Sequence, residues 1–270
     1  MEATAIQHDA LAAVETVAER TAALVGVVDL AAVPPGLRWS VRDLAAHLIS
    51  ATALYTELAA GASSPLASIT PESLAVFNDE GIADVADTDP EQLVKALRDV
   101  VGRFLDAAAR RPAGEPVNWH AGIVLDTPQL VGALLAEYVI HGLDIAAAGG
   151  APWPIDPRHV PFVLYGYAPV LPACVDPVTS AGHTATYALD LGTAGRLAVR
   201  FDDGTVAVGP ADGIDGDGPY DCTIVADPAT YLLVSTGRMA QSTAIALGLL
   251  GAAGEHRELG LTFGARFRYP

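Results

Sequence analysis

Three ionisable side chains lie within eight residues of an otherwise apolar stretch, LLAEYVIHGLDIAAAGG, at positions 134–150. Glu137, His141 and Asp144 are four and three residues apart, so an α-helix would place them on one face. Burying charged groups costs free energy unless the groups pair with one another or bind a metal ion. The stretch therefore predicts either a buried hydrogen-bond network or part of a metal site.

A further metal ligand has to come from elsewhere in the chain, and His47 is the candidate. It lies among the apolar residues of WSVRDLAAHL (39–48), inside another predicted helix. Two histidines and one glutamate suit a divalent ion with an open position for water, a thiol or a substrate. Zinc is the expected ion, although iron, manganese and nickel accept the same donors. Asp144 is expected either to orient His141 from outside the ligand set or to face solvent near the helix end.

A structural interpretation competes with the metal site. Many long helices carry a Glu-x-x-x-His pair as a hydrogen bond on a partly solvated face. A single histidine such as His47 is more often a core or surface residue than a ligand. On these residues alone, both interpretations stay open.

Composition and charge argue against several classes of function. The net charge is −17 over 270 residues, whereas nucleic-acid binding needs a basic face. Lys95 is the single lysine, and the sequence has no phosphate-binding Gly-Lys-Ser/Thr, no G-x-S-x-G and no G-x-G-x-x-G. A nucleotide enzyme or a serine hydrolase is therefore not predicted.

The sequence predicts a cytoplasmic protein. It contains no run of about 18 uninterrupted apolar residues, and its first twenty residues are acidic and amphipathic, unlike a signal peptide. The two cysteines, Cys174 and Cys222, show neither metal-site spacing nor a basic neighbour, and so few cysteines fit a reducing compartment. His120, in a predicted loop, is expected to be exposed or to reach the bundle mouth as an acid/base or an extra ligand.

Helical periodicity in the first half predicts an antiparallel four-helix bundle over residues 1–150. A short additional helix is expected near 72–80. The four main helices are expected over 5–30, from the Ser40–Asp43 capping pair, from Asp89–Pro90, and from Thr127–Pro128 to Gly149–Gly150.

The second half, residues 151–270, is predicted to be a separate α+β domain with a mainly antiparallel sheet. The Pro/Gly-rich joint GGAPWPIDP marks a linker at about 149–160. The acidic segment 212–221 is expected to connect strands, because it lacks the register of a calcium loop. The remaining elements are an interrupted helix over 158–174, strands over 184–191, 195–209 (with a DDG hairpin) and 222–227, helices over 227–238 and around 241–250, and a closing strand in 258–270.

Two motifs together resemble the mycothiol-dependent maleylpyruvate isomerase family: WSVRDLAAHL and, about ninety residues later, EYVIHGLDIA (137–146). The resemblance implies a DinB-like four-helix bundle with His47, Glu137 and His141 as metal ligands. These are the three residues that the residue chemistry had already singled out. Past the linker, residues from about 184 to 255 are similar to the family's C-terminal domain, which implies a sterol-carrier-like fold.

The family often places an arginine that serves the active site in an aromatic-Gly-Arg pattern of that second domain. Gly237–Arg238 matches this pattern, with Thr236 in place of the aromatic residue. The resemblance thus implies that Arg238 binds a substrate carboxylate. The alternative is a solvated cation that the nearby helix C-terminus favours.

The function that the resemblance implies is a metal-dependent enzyme with mycothiol as its thiol cosubstrate. Cis–trans isomerisation of maleylpyruvate is one reaction of this type. The alternatives are a mycothiol S-transferase, a non-catalytic protein that binds a lipid or small molecule beside a structural metal, and a regulatory metal-binding bundle. A small-molecule electrophile or carboxylate is the expected partner, with neither nucleic acid nor a membrane, and both a monomer and a dimer are compatible with the sequence.

Overall fold

The computed structural model describes residues 3–211 and 219–268, which form two compact units. The first unit contains the residues up to Ile155 together with Phe162–Tyr167. The second contains Asp156–Pro161 and the residues from Ala168 onward. Most of the acidic segment 212–221, predicted to connect two strands, lies outside the described residues.

Helices build the first unit. The predicted main helices are α1, α2, α4 and α5, and the short helix expected near 72–80 is α3. α1 packs against α4 and α5, and α2 packs against α3, α4 and α5. The elements are α1 (Ala3–Val25), α2 (Val41–Ala59), α3 (Pro71–Asp84), α4 (Pro90–Arg110), the short strands β1 (Val117–Asn118) and β2 (Val124–Leu125), α5 (Thr127–Ala148) and α6 (Val160–Tyr167).

Capping boxes start both helices that carry the candidate metal ligands. At α2, the backbone N–H of Ser40 donates to Asp43 Oδ2 (3.0 Å), and the N–H of Asp43 donates to Ser40 Oγ (3.2 Å). α5 begins at Thr127, which had been expected to cap the helix, but its N-cap is Asp126. Its carboxylate accepts from the Gln129 N–H (2.7 Å), whereas the Thr127 hydroxyl donates to a loop carbonyl instead. These caps fix where each helix begins and hence which face its side chains share.

α5 is the central helix of this unit and is buried on nearly all sides. By length and composition alone it would suffice to cross a membrane, but most of it is covered by the rest of the protein. A helix that is apolar all round is typical of the core of a larger fold. The charged side chains of α5 are accordingly only partly solvated: Glu137 is 24%, His141 13% and Asp144 6% exposed.

Two glycines allow α5 to approach its neighbours closely. A Cβ on Gly132 would meet the backbone of Phe162 and would lie 3.1 Å from the backbone nitrogen of Gly166, on α6. A Cβ on Gly142 would meet the indole ring of Trp153 and would lie 2.9 Å from the hydroxyl of Thr21. The backbone of α5 is thus in direct contact with both α6 and the Trp153 ring.

A five-stranded sheet organises the second unit, in the order β5–β4–β3–β6–β7. Its pairs are antiparallel except for β3–β6, so the sheet is mainly antiparallel and the α+β class is confirmed. The predicted DDG turn joins β4 to β5, and Asp203 (φ 48°) and Gly204 (φ 82°) both adopt the left-handed conformation typical of tight hairpins. The elements are β3 (Ala185–Asp190), β4 (Arg196–Asp202), β5 (Thr205–Pro210), β6 (Cys222–Ala226), α7 (Pro228–Ser235), α8 (Gln241–Ala246) and β7 (Leu250–Ala253).

The closing strand predicted in 258–270 was wrong. The described part of that segment forms two 3₁₀ turns, Arg257–Leu261 and Gly264–Arg266, and a single bridge from Phe267 to Val175. Aromatic packing explains the difference, because the Phe263 ring lies 4.9 Å from the ring of Tyr187 in β3. The last strand is instead β7, whose first residue had been assigned to the end of the preceding helix.

The segment that follows β7 is tied to residues far earlier in the chain. The N–H of Asp176 donates to the carbonyl of Arg266 (2.8 Å), and the N–H of Arg268 donates to the carbonyl of Cys174 (2.7 Å). Arg268 Nε also donates to the Asp176 carboxylate (2.8 Å). Residues 266–268 are therefore an integral part of the second unit.

Candidate metal centre

The structure brings together the three residues predicted to bind a metal. His47 on α2 places its Nε2 at 3.2 Å from Glu137 Oε2, and His141 places its Nε2 at 3.4 Å from the same oxygen. One ligand atom from each residue lies within 4.8 Å of the others. Two imidazoles and a carboxylate thus converge from two neighbouring helices.

Asp144 holds the ring of His141 from the opposite side. Its Oδ2 lies 3.0 Å from His141 Nδ1, and its side chain is only 6% exposed. Of the two expectations for Asp144, the structure shows contact with His141 rather than with solvent. A hydrogen bond at Nδ1 leaves Nε2 as the ring atom that faces Glu137 and His47.

The cluster has an uneven distribution of protons. Burial opposes the charge on Glu137, but hydrogen bonds from His141 and His47 outweigh it and hold the pKa of Glu137 well below its usual range. Burial likewise opposes protonation of His141, yet its bonds to Asp144 and Glu137 raise the pKa of His141 to about 9. Burial lowers the pKa of His47. At neutral pH the cluster therefore contains one carboxylate, one imidazolium and one neutral imidazole.

These residues fit a divalent metal ion. An imidazole nitrogen must be deprotonated to bind a metal. A bound cation would therefore displace the proton that His141 carries when no metal is bound. Three converging protein donors, with a carboxylate behind one histidine, are typical of sites that keep one coordination position open. It stays a prediction that a metal binds to His47, Glu137 and His141. The identity of the metal is a prediction too.

The indole ring of Trp39 packs over the imidazoles of His47 and His141. The sequence reasoning did not single out this residue. The centroid of Trp39 lies 5.0 Å from that of His47 and 6.3 Å from that of His141. Its Nε1–H donates to Asp79 Oδ1 on α3 (3.2 Å), and Arg38 binds the same carboxylate oxygen (2.7 Å). The feature of the sequence that could have identified Trp39 is its position as the first residue of the WSVRDLAAHL motif.

The two other residues that the sequence singled out for the site are His120 and Arg238. His120 is buried rather than exposed, and among the described residues it is not part of the group that could hold a metal. Arg238 follows Gly237, whose φ of 73° is left-handed, and its Nη1 donates to the carbonyl of Thr236 (2.6 Å). Arg238 belongs to the second unit, and its part in the site stays a prediction.

The two cysteines are poor nucleophiles. Both are buried free thiols. Burial raises the pKa of Cys174 to about 11 and also raises the pKa of Cys222. A thiol that stays protonated at neutral pH reacts slowly, so we assign neither cysteine to the site.

The fold and this cluster define the class of protein: an α+β chain whose helical unit carries a candidate metal centre of two histidines and one glutamate. Residues 11–146 match the model of one family, described as the mycothiol maleylpyruvate isomerase N-terminal domain. The match spans half of the chain and includes all three candidate ligands. The chain therefore belongs to this family.

Solved structures support the same fold over most of the chain. One is a mycothiol-dependent maleylpyruvate isomerase, which is 17% identical with a TM-score of 0.53 over 92% of both chains. Another is a variant of a protein of that name with one histidine replaced by alanine, 15% identical with a TM-score of 0.54 over 92% of both chains. At such identities the likeness concerns the fold alone. No curated protein matches the chain significantly.

Asp144→Asn is expected to weaken metal binding by about 10- to 100-fold, the usual cost of losing a partner behind a ligating histidine. The amide still accepts from His141 Nδ1 but removes the negative charge that makes the imidazole a stronger donor. A competition titration of zinc against a chromophoric chelator measures the change. Asp99→Asn is the matched control, because Asp99 forms an exposed pair with Lys95 on α4. Equal affinities in the two variants would show that Asp144 only supports packing.

Proposed function

We propose that the chain is a metal-dependent enzyme that uses mycothiol and activates it as a thiolate for addition to an electrophile. Cis–trans isomerisation of maleylpyruvate is the reaction that family membership favours. The observation that carries the proposal is the convergence of His47, Glu137 and His141 at 3.2 and 3.4 Å in a member of this family.

The role of the metal would be to make a thiolate available at neutral pH. A free thiol has a pKa of about 8.5, and a bound divalent cation stabilises the deprotonated sulfur. The protein would supply the side chains that position the ion and the negative charge that binds it. His47, Glu137 and His141 would hold the ion, Asp144 orients the His141 ring, and Trp39 packs over both imidazoles.

The isomerisation needs no net change in oxidation state or protonation. The thiolate sulfur forms a bond to one carbon of the cis double bond, and the π electrons move to the conjugated carbonyl oxygen. Rotation about the resulting single bond follows. The electron pair then returns, the sulfur–carbon bond breaks, and the trans product and the thiolate separate. A transferase would share the first step, but its adduct would take up a proton and leave with the thiol attached.

The first experiment measures metal content and mycothiol binding on the purified protein and on His47→Ala. We expect one divalent ion per chain and thiol binding that depends on it, with both lost in the variant. His8→Ala is the control, because His8 is an exposed histidine on α1. If the native protein, offered zinc, stays metal-free, the cluster is a buried hydrogen-bond network and the proposed function is wrong.

Product analysis then separates the two reactions of this class. With maleylpyruvate as the electrophile, an isomerase forms the trans product without consuming mycothiol. A transferase consumes one mycothiol for each electrophile molecule. Metal bound without any thiol binding would instead favour a structural ion.

Arg238→Ala is expected to reduce kcat/KM for a carboxylate electrophile by about 10- to 100-fold, as the loss of a charge-assisted hydrogen bond usually does. Steady-state kinetics with maleylpyruvate measure this change. Arg238→Lys should recover only part of it, because an ammonium cannot form the paired hydrogen bonds of a guanidinium. Metal content should not change. Kinetics equal to those of the native protein would identify Arg238 as a surface cation without a catalytic role.

A further inference from the structure

We propose that His120 is a second catalytic residue of this site, and that its Nε2–H donates a hydrogen bond to the carbonyl oxygen of the electrophile. Negative charge develops on that oxygen while the thiolate adds to the double bond. The inference rests on the proposed function, since it assigns a role in the same reaction.

The turn between β1 and β2 holds the His120 ring in a fixed, buried position. The residue is 6% exposed. The Trp119 ring lies 4.2 Å from it and the Phe77 ring of α3 lies 6.1 Å from it, measured between centroids. The N–H of the next residue, Ala121, donates to the carbonyl of Leu66 (2.8 Å). Aromatic rings and a backbone anchor thus restrict the imidazole.

The backbone beside His120 is strained. Ala121 has a φ of 54° and a ψ of 25°, the left-handed conformation that is unfavourable for a residue with a Cβ. Such strain persists only where surrounding contacts enforce it, and it is concentrated at functional sites. Here it lies directly after the imidazole whose orientation the turn determines.

Ser64 is the hydrogen-bond partner of His120 Nδ1. Its Oγ lies 2.6 Å from His120 Nδ1 and accepts a hydrogen bond from the Leu66 N–H (3.1 Å). The proposed role requires that the Ser64 hydroxyl donates to Nδ1, the one acceptor that the described residues offer it, which leaves the ring proton on Nε2. Burial also lowers the pKa of His120 to about 4. The ring is therefore a neutral donor at physiological pH.

The Nε2–H has no protein partner in residues 3–211 and 219–268. Among the described residues, the side-chain nitrogens that are fully buried without a partner are Arg111 Nε, Trp119 Nε1 and Arg266 Nε, and His120 Nε2 is not one of them. His120 Nε2 therefore keeps some solvent contact and an unused hydrogen-bonding position among the described residues. The turn packs against the elements that surround the metal cluster: β1 contacts α2, the helix that carries His47, and the Phe77 ring belongs to α3, whose Asp79 accepts a hydrogen bond from Trp39 over His47.

A hydrogen bond at this position would assist the addition without a proton transfer. As the sulfur–carbon bond forms, the π electrons of the double bond move to the carbonyl oxygen, and the Nε2–H stabilises the resulting oxyanion. The proton remains on the nitrogen, and the interaction weakens when elimination returns the electron pair. Fixed donors of this kind are most effective where water is scarce, and a neutral imidazole can serve as such a donor.

The test compares His120→Phe, His120→Gln and Ser64→Ala with the native protein, using maleylpyruvate and mycothiol. His120→Phe should lower kcat by about 100- to 1000-fold, as does the loss of other oxyanion donors. Glutamine carries an N–H near the Nε2 position and should recover part of the rate. Ser64→Ala keeps the His120 ring but removes the partner of Nδ1, so both neutral tautomers become populated. This variant should therefore lower kcat less than His120→Phe does. Metal content and mycothiol affinity should be unchanged in all three variants.

A second readout does not depend on activity. Nitrogen NMR of the seven histidine rings in the metal-free native protein should show one ring, absent from His120→Gln, in the neutral Nε2–H tautomer at pH 7. In Ser64→Ala the same ring should show a mixture of tautomers. An Nδ1–H tautomer or an imidazolium in the native protein would overturn the proposal.

The remaining outcomes separate this inference from the proposed function. An active native protein whose His120→Phe variant keeps its kcat and only melts earlier shows that His120 is a core residue. Loss of metal from that variant shows that it is a ligand. Either result overturns the inference and leaves the proposed function intact. A native protein without thiol-dependent turnover overturns both.

Discussion

Glu137→Gln is expected to weaken binding of a divalent metal by more than about 100-fold, exceeding the cost of losing a partner outside the ligand set. The substitution keeps the shape of the side chain but removes the one negative charge that both His47 and His141 contact. An amide oxygen is a weaker ligand than a carboxylate, and two imidazoles alone give an incomplete site. Zinc titration against a chromophoric chelator measures the affinity.

Thermal unfolding gives an independent measure of the same loss. Metal that binds only the folded state at about 1,000 times its Kd stabilises a protein by about 4 kcal/mol. Added zinc should therefore raise the Tm of the native protein and leave that of Glu137→Gln unchanged. Glu57→Gln is the control, because Glu57 is exposed on α2. A Glu137→Gln protein that binds zinc with native affinity would exclude Glu137 as a ligand.

Gly132→Ala is expected to destabilise the protein by about 2–3 kcal/mol, in the range of overpacked cores. The added methyl group would meet backbone atoms of Phe162 and Gly166 on α6, and backbone cannot move aside as a flexible side chain does. Urea denaturation followed by circular dichroism measures the change in the free energy of unfolding.

Gly102→Ala is the matched control for this prediction. Gly102 lies in α4, and a Cβ added there meets nothing within 4 Å. Alanine should therefore stabilise that helix by about 1 kcal/mol through its higher helix propensity. The two substitutions are chemically identical and differ only in surroundings. If both changed stability by the same amount and sign, α5 and α6 would not be in backbone contact.

Local features of the chain were predicted well because their causes are local. The Ser40–Asp43 capping box and the Asp89 cap depend on residues three positions apart. The shared face of Glu137 and His141 depends on helical spacing alone. The prediction that His47 lies near Glu137 could not rest on local spacing, since the two residues are ninety positions apart. Only the paired motifs connected them.

Tertiary contacts account for what sequence reasoning missed. Nothing in the sequence near Trp39 shows that its ring covers His47, because its position depends on Asp79 of a different helix. His120 was expected either to be exposed in a loop or to reach the bundle mouth, and its burial follows from contacts with Trp119 and Phe77. The segment after β7 alternates like a strand, yet packing of Phe263 against Tyr187 favours a coiled path.

The attachment of Arg266 and Arg268 to residues near Asp176 has a consequence for biosynthesis. The candidate ligands His47, Glu137 and His141 are all synthesised before any residue of β3. The helical unit, including the candidate metal site, can therefore pack while translation continues. The second unit cannot, because the backbone partners of Cys174 and Asp176 appear only about ninety residues later. During that interval, the apolar side chains that the finished sheet buries are exposed on the nascent chain.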